Sequence, residues 1–112
     1  MKPVQLKPGD VALVDFTGVT GTKRRPAIVV SSAVYHAERP DIIFALVTTQ
    51  ISKSTARTDY ILEDWNLAGL RKPSAVRIFL STKPAAELTR IGTLSERDRI
   101  EVQKRLRLAI EF

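Results

Sequence analysis

Four short apolar runs, and one segment of helical periodicity at the far end of the chain, leave few folds open. The runs lie at 11–16, 26–31, 42–49 and 74–80, each of strand length and rich in β-branched or aromatic residues. Pro8-Gly9 introduces the first strand, read over 9–16. Residues 17–24 combine two glycines, three threonines and two cations, and read as a flexible loop. Pro26 fits only at the start of the second strand, where no ladder donor is needed. Asp41 marks entry to the third strand, and a polar stretch to Thr58 marks its exit. A short strand at 58–62 follows, then one helical turn over 64–69 stopped by Gly69. Ser95 heads the helix, Asp98 completes a capping box, and Val102, Leu106, Ala109 and Ile110 form one apolar stripe. No strand–helix–strand alternation occurs, so a parallel sheet is not expected. The expectation is a mainly β chain of about five strands, a small antiparallel barrel capped by a C-terminal helix. Residues 1–112 read as a single domain, with no repeat and no linker.

The absence of cysteine removes disulfide scaffolds, thiol nucleophiles and thiolate metal sites. A lone histidine, His36, removes any two-histidine acid/base pair, and its setting reads as a surface or partly packed side chain. Trp65 reads as a core residue, with base stacking as the rarer use. No apolar run approaches the ~18 residues of a membrane span, and Met1-Lys2-Pro3-Val4 does not resemble a signal peptide. A soluble, cytoplasmic protein without membrane association is expected.

Eighteen Lys+Arg against twelve Asp+Glu give a net charge of +6, which favours an anionic partner. The position of that charge tells more than its sum. Segment 95–112 holds five cations and four anions and is close to neutral. The excess falls elsewhere, on Lys23, Arg24, Arg25, Lys53, Arg57, Arg71, Lys72 and Arg77. Between Thr48 and Thr58 there is no acid, and seven side chains are hydroxyls or amides that can bond phosphate oxygens or base edges. Solvated surface loops would carry the same composition. For Arg25 the competing use is an ion pair with Asp15 or Asp10.

Five stretches, in order, narrow the choice. They are Gly9-Asp10-Val11; Lys23-Arg24-Arg25-Pro26-Ala27-Ile28-Val29-Val30-Ser31; Thr48-Thr49-Gln50; Gly69-Leu70-Arg71-Lys72-Pro73-Ser74-Ala75-Val76-Arg77; and Ile91-Gly92-Thr93-Leu94-Ser95. Together they resemble the MazF/PemK family of toxin–antitoxin ribonucleases over about residues 9–110. The resemblance implies an SH3-like barrel that forms a homodimer with RNA in a shared groove. It implies metal-independent cleavage of single-stranded RNA at a short sequence, no cofactor, and restraint by a cognate acidic antitoxin. The family's catalytic arginine before the proline is here Arg25, its hydroxyl at the end of the third strand is Thr48, and the arginine used by some members is Arg77. Lys23, Arg24, Thr49, Gln50, Lys53 and Arg57 are the accompanying RNA-binding candidates. Two departures stand out. The first loop, Gly18-Val-Thr-Gly-Thr-Lys23, lacks the glutamate or histidine of many members, and Phe79 stands where some place an acid. The alternatives on the same fold are a gyrase-poisoning toxin like CcdB and a non-catalytic nucleic-acid-binding module.

Overall fold

A computed structural model describes residues 5–111; Met1 to Val4, on which the leader reading rests, lie outside them. The strands are β1 (Asp10–Gly18), β2 (Gly21–Val29), β3 (Asp41–Thr48), β4 (Tyr60–Ile61), β5 (Ala75–Pro84) and β6 (Thr89–Thr93), with helices α1 (Ala33–Glu38) and α2 (Glu96–Ala109). They form one six-stranded antiparallel sheet in the order β4-β5-β3-β2-β1-β6. The sheet curls until its two ends meet. A side chain at Gly92 of β6 would place its Cβ 2.2 Å from the Ala68 carbonyl oxygen, in the turn that follows β4. Across the same contact, Gly69 has φ +88° and a Cβ there would lie 2.5 Å from the Ile91 carbonyl oxygen. Only two glycines allow the backbones this close.

Alternation along the strands explains why the runs at 26–31 and 42–49 are apolar at nearly every position. Val11, Ile28, Ala45, Val47 and Val76 point to one side, where Leu62, Leu94 and Val102 of α2 close over them. Ala12, Val14, Ala27, Val29, Ile42 and Phe44 point to the other, under Leu88 and Leu6. Both faces of the sheet's centre are covered, so no polar register survives there.

Several expectations need correction. Residues 17–24 are not a flexible loop but the tip of a hairpin, with Thr17 paired to Thr22 and Gly18 to Gly21. The two-residue turn Val19-Thr20 closes it, and Gly21 takes φ +109°. Lys23, Arg24 and Arg25 are therefore strand residues. Pro26 lies inside β2 rather than at its start, because β3 joins β2 only from Ala27 onward. The connector at 33–38 is a helical turn and a half, capped by the Ser32 hydroxyl accepting from Tyr35 N–H. The last strand runs on to Pro84, and β6 is a sixth strand beyond the expected five. On α2, Val102 is buried and Leu106 partly so, but Ala109 and Ile110 are exposed.

The capping box is half formed. Ser95 Oγ accepts from Asp98 N–H as expected. The Asp98 carboxylate turns instead to the segment after β4, accepting from Tyr60 OH at 2.5 Å, Glu63 N–H at 3.1 Å and Asp64 N–H at 2.8 Å. Asp64 answers by accepting from Ser95 Oγ at 2.6 Å and from both forks of Arg97 at 2.7 Å. The Arg97 bonds, followed by that of Ser95, hold the Asp64 carboxyl down at about 2, below its ordinary 3.8. A depressed carboxylate contributes stability that is complete above its unfolded value and is lost as pH falls through the folded one. The stability difference between the native chain and Asp64→Asn should therefore be constant above about pH 5 and shrink towards pH 2 in urea titrations. A difference that grew on acidification would contradict this pairing.

Candidate nucleic-acid interface

The register of the sheet brings the candidate residues into one row. Lys23 faces Phe16 and Arg25 faces Val14 across β1–β2, while Arg77 faces Leu46 across β3–β5. Residues directly opposite share a face, so all three cations lie on the side of the sheet away from α2. Thr48 is two residues along from Leu46 and shares that face. Ala27 pairs with Leu46, so extending the ladder by two places sets Arg25 beside Thr48. Arg25 and Arg77 thus flank the end of β3 diagonally, two strand spacings across and two residues along, roughly 12 Å apart. Arg24 is not part of this row. It points to the opposite face, 3.7 Å from Asp15 and within 3.4 Å of Thr89 Oγ1.

Charge pairing sharpens the contrast. Asp15 is taken by Arg24, and Asp10 by Arg90 at 3.5 Å and by Thr93 Oγ1 at 2.8 Å. Both acids that could have neutralised Arg25 are thus engaged elsewhere. Among the described residues Lys23, Arg25, Lys53, Arg57, Arg71, Lys72 and Arg77 form no ion pair, and every one is exposed. The ion pairs sit instead on α2, on β6, around the turn after β5 and, between Arg24 and Asp15, on the opposite face of the β1–β2 hairpin.

Thr48 is half-buried, and its Oγ1 accepts from Gln50 N–H at 3.1 Å. That bond fixes the oxygen and leaves the hydroxyl proton free to donate to a ligand. Thr49 and Gln50 are exposed beyond it, and Lys53 closes a 3-10 turn at Ile51–Lys53. Arg57 lies further along the same loop, whose return is tied down where Arg105 donates to the Asp59 carbonyl at 3.4 Å and stacks over Tyr60. Phe79 is 65% exposed and sits where the β3–β5 ladder slips between Leu46–Arg77 and Ala45–Leu80. Among the described residues no group of His, Asp and Glu gathers as metal ligands would.

The remaining residues of interest lie apart. His36 is half-buried; its Nδ1 donates to the Leu6 carbonyl at 3.0 Å, so a neutral ring offers Nε2 to the Ser31 hydroxyl, 2.5 Å away. The cleft it lines, with Leu6, Ile42 and Leu88, opens at the other end of β3, roughly 20 Å from Thr48. Trp65 packs partly buried against the core on the α2 side. No helix among the described residues is long and apolar enough to cross a membrane.

Comparison with known proteins agrees with this fold. The fold matches a mycobacterial endoribonuclease solved in complex with its cognate antitoxin, with TM-score 0.76 at 18% identity over 96% of this chain and 99% of that one. It matches the Mycobacterium tuberculosis toxin MazF-mt6 with TM-score 0.73 at 18% identity, over 92% and 99%. It also matches a MazE–MazF complex of Deinococcus radiodurans with TM-score 0.70 at 19% identity, over 93% of each chain. At such identities these likenesses establish the fold. A search of curated proteins gave no match. The family model for the PemK-like, MazF-like toxins matches residues 7–110, and the chain belongs to that family of type II toxin–antitoxin toxins.

Proposed function

We propose that this toxin is a sequence-selective endoribonuclease that cuts single-stranded RNA in the cytoplasm, using the substrate's own 2′-hydroxyl and no metal or cofactor. The observation that carries the reading is the row of unpaired Arg25 and Arg77 on either side of the Thr48 hydroxyl. In the reaction the 2′-oxygen forms a bond to phosphorus as the bond to the 5′-oxygen breaks. The 2′-proton leaves to solvent, and a proton reaches the departing 5′-oxygen. Two negative charges build on the equatorial oxygens in between. Guanidinium forks and a hydroxyl donor aimed there stabilise that state more than the ground state. No carboxylate or imidazole stands in the row, so the enzyme forgoes a general base, a loss of typically ~10²–10⁴ in rate. A slow nuclease still arrests growth when its target is messenger RNA.

Lys23, Arg24, Thr49, Gln50, Lys53 and Arg57 are assigned to RNA binding; Arg24, from the opposite face, serves a strand that wraps the hairpin. The active species is a homodimer whose groove is shared, and a cognate acidic antitoxin silences it. A transcript incubated with excess protein in EDTA should break at one short motif, leaving 2′,3′-cyclic phosphate and 5′-hydroxyl ends. Growth arrest with intact RNA would point instead to gyrase poisoning, and RNA binding without breaks to a non-catalytic module.

A further inference from the structure

One exposed strand side chain on the face of the row is apolar. Between Leu46–Arg77 and Ala45–Leu80 the ladder advances one residue on β3 and three on β5, so Ile78 and Phe79 bulge out. Two extra residues preserve the alternation of faces. Ile78 accordingly packs into the core on the α2 side, and Phe79 takes the face of Arg77 and Thr48. On the outer flank of β5, β4 pairs only with Ala75 and Val76, so no strand runs beside the bulge there. Among the described residues Phe79 is the one exposed aromatic side chain. Phe16 stacks edge-on against Phe44, Tyr35 against His36, and Arg105 lies over Tyr60, whereas the Phe79 ring meets no ring and no guanidinium. Bulges beside active sites commonly re-aim one side chain, and this one leaves a phenyl ring in water that burial would stabilise.

We infer that Phe79 is a stacking platform for a nucleobase of the RNA beside the scissile phosphate. The inference rests on the nuclease reading above and deepens it with a residue that holds a base rather than a phosphate. Phe79 lies two residues beyond Arg77, roughly 7 Å along β5. The ring therefore stands beside a phosphate held at Arg77, not under it, where a base branches from the backbone. Its neighbours decide the ligand. Arg77 forms no ion pair, and Leu80, the next exposed apolar side chain, points to the opposite face. A lone ring beside a free cation matches a single strand, in which bases alternate with charges, and lacks the contiguous apolar area of a protein contact. Stacking tolerates any base, so Phe79 fixes where the strand lies over Arg25, Thr48 and Arg77 rather than which sequence it carries.

The probe is a short single-stranded RNA with a series of copies, each lacking one base. Phe79→Ala should bind the intact strand about 10-fold more weakly, with the slope of log affinity against log salt and the urea midpoint both native. Phe79→Trp should bind at least as tightly as native protein, and Phe79→Leu, apolar without a π face, should not. One abasic copy should bind native protein and Phe79→Ala equally, because the partner of the ring is gone. Its missing base should flank the cut. Native affinity in Phe79→Ala or Phe79→Leu, or a loss that no abasic copy removes, would overturn the platform. So would a Phe79→Ala homodimer that dissociates more readily while binding RNA as before, which would assign the ring to the second copy. A protein that passes the abasic test but never cuts RNA would sink the nuclease reading alone. One that cuts RNA and loses no affinity in Phe79→Ala would sink the platform alone.

Discussion

Arg25→Ala is expected to lower the rate of RNA cleavage about 10²–10³-fold while weakening binding only a few-fold. The asymmetry follows from placement. Arg25 stands on a strand paired to β1, so its backbone is fixed before substrate arrives, and Asp15, the acid nearest in register, is taken by Arg24. Its donors gain most when charge develops on the phosphate's equatorial oxygens. Lys53, on the loop past Thr48, is proposed to meet the same RNA as a point charge. Lys53→Ala should weaken binding and flatten its salt dependence by about one ion, leaving the rate at saturation close to native. Single-turnover kinetics at saturating protein separates the two effects. An Arg25→Ala variant that cuts at the native rate would remove Arg25 from the chemistry.

The largest stability effect is expected at Asp98, far from the row. Its side chain is wholly buried and takes three hydrogen bonds from Tyr60, Glu63 and Asp64, joining α2 to the end of β4. Asp98→Ala leaves three donors short of their acceptor and should cost about 3–5 kcal/mol by urea unfolding. Asp98→Asn keeps one acceptor oxygen and should cost less. Because β4 anchors the return of the loop that carries Lys53 and Arg57, the alanine variant should also bind RNA more weakly. A loss under about 1 kcal/mol would mean that water or a neighbour replaces the carboxylate.

Core strands were legible because burial on both sides leaves no choice of residue, as in Ala27-Ile28-Val29 and Phe44-Ala45-Leu46-Val47. The misread segments are those where tertiary partners, not local composition, decide. Lys23 and Arg24 look like loop residues until Phe16 and Asp15 stand opposite them. β6, with Thr89 and Arg90 beside Gly92, has no apolar alternation and exists because β1 offers it an edge. Asp98 carries a cap's spacing, yet its carboxylate is used 34 to 38 residues back along the chain. For the site, motif resemblance singled out Arg25, Thr48 and Arg77, but their alignment on one face needed the register of three strands. That Arg24 points to the opposite face could not be read from residue types. Period-2 counting from Pro26 would have separated Arg24 from Arg25, had the segment been taken for a strand.

Substrate-supplied nucleophilic attack is tested most directly by one substitution in the RNA. Once the cut has been mapped on an ordinary transcript, an oligonucleotide carrying a single 2′-deoxy sugar 5′ to the scissile phosphate is compared with its all-ribose twin in EDTA. The account predicts that the all-ribose strand is cut. It predicts that the deoxy strand stays intact while binding within a few-fold, since one hydroxyl contact is worth only ~1 kcal/mol. Cleavage of the deoxy strand, or activity that vanishes in EDTA and returns with Mg²⁺, would contradict it and remove Arg25 and Thr48 from the roles given them here.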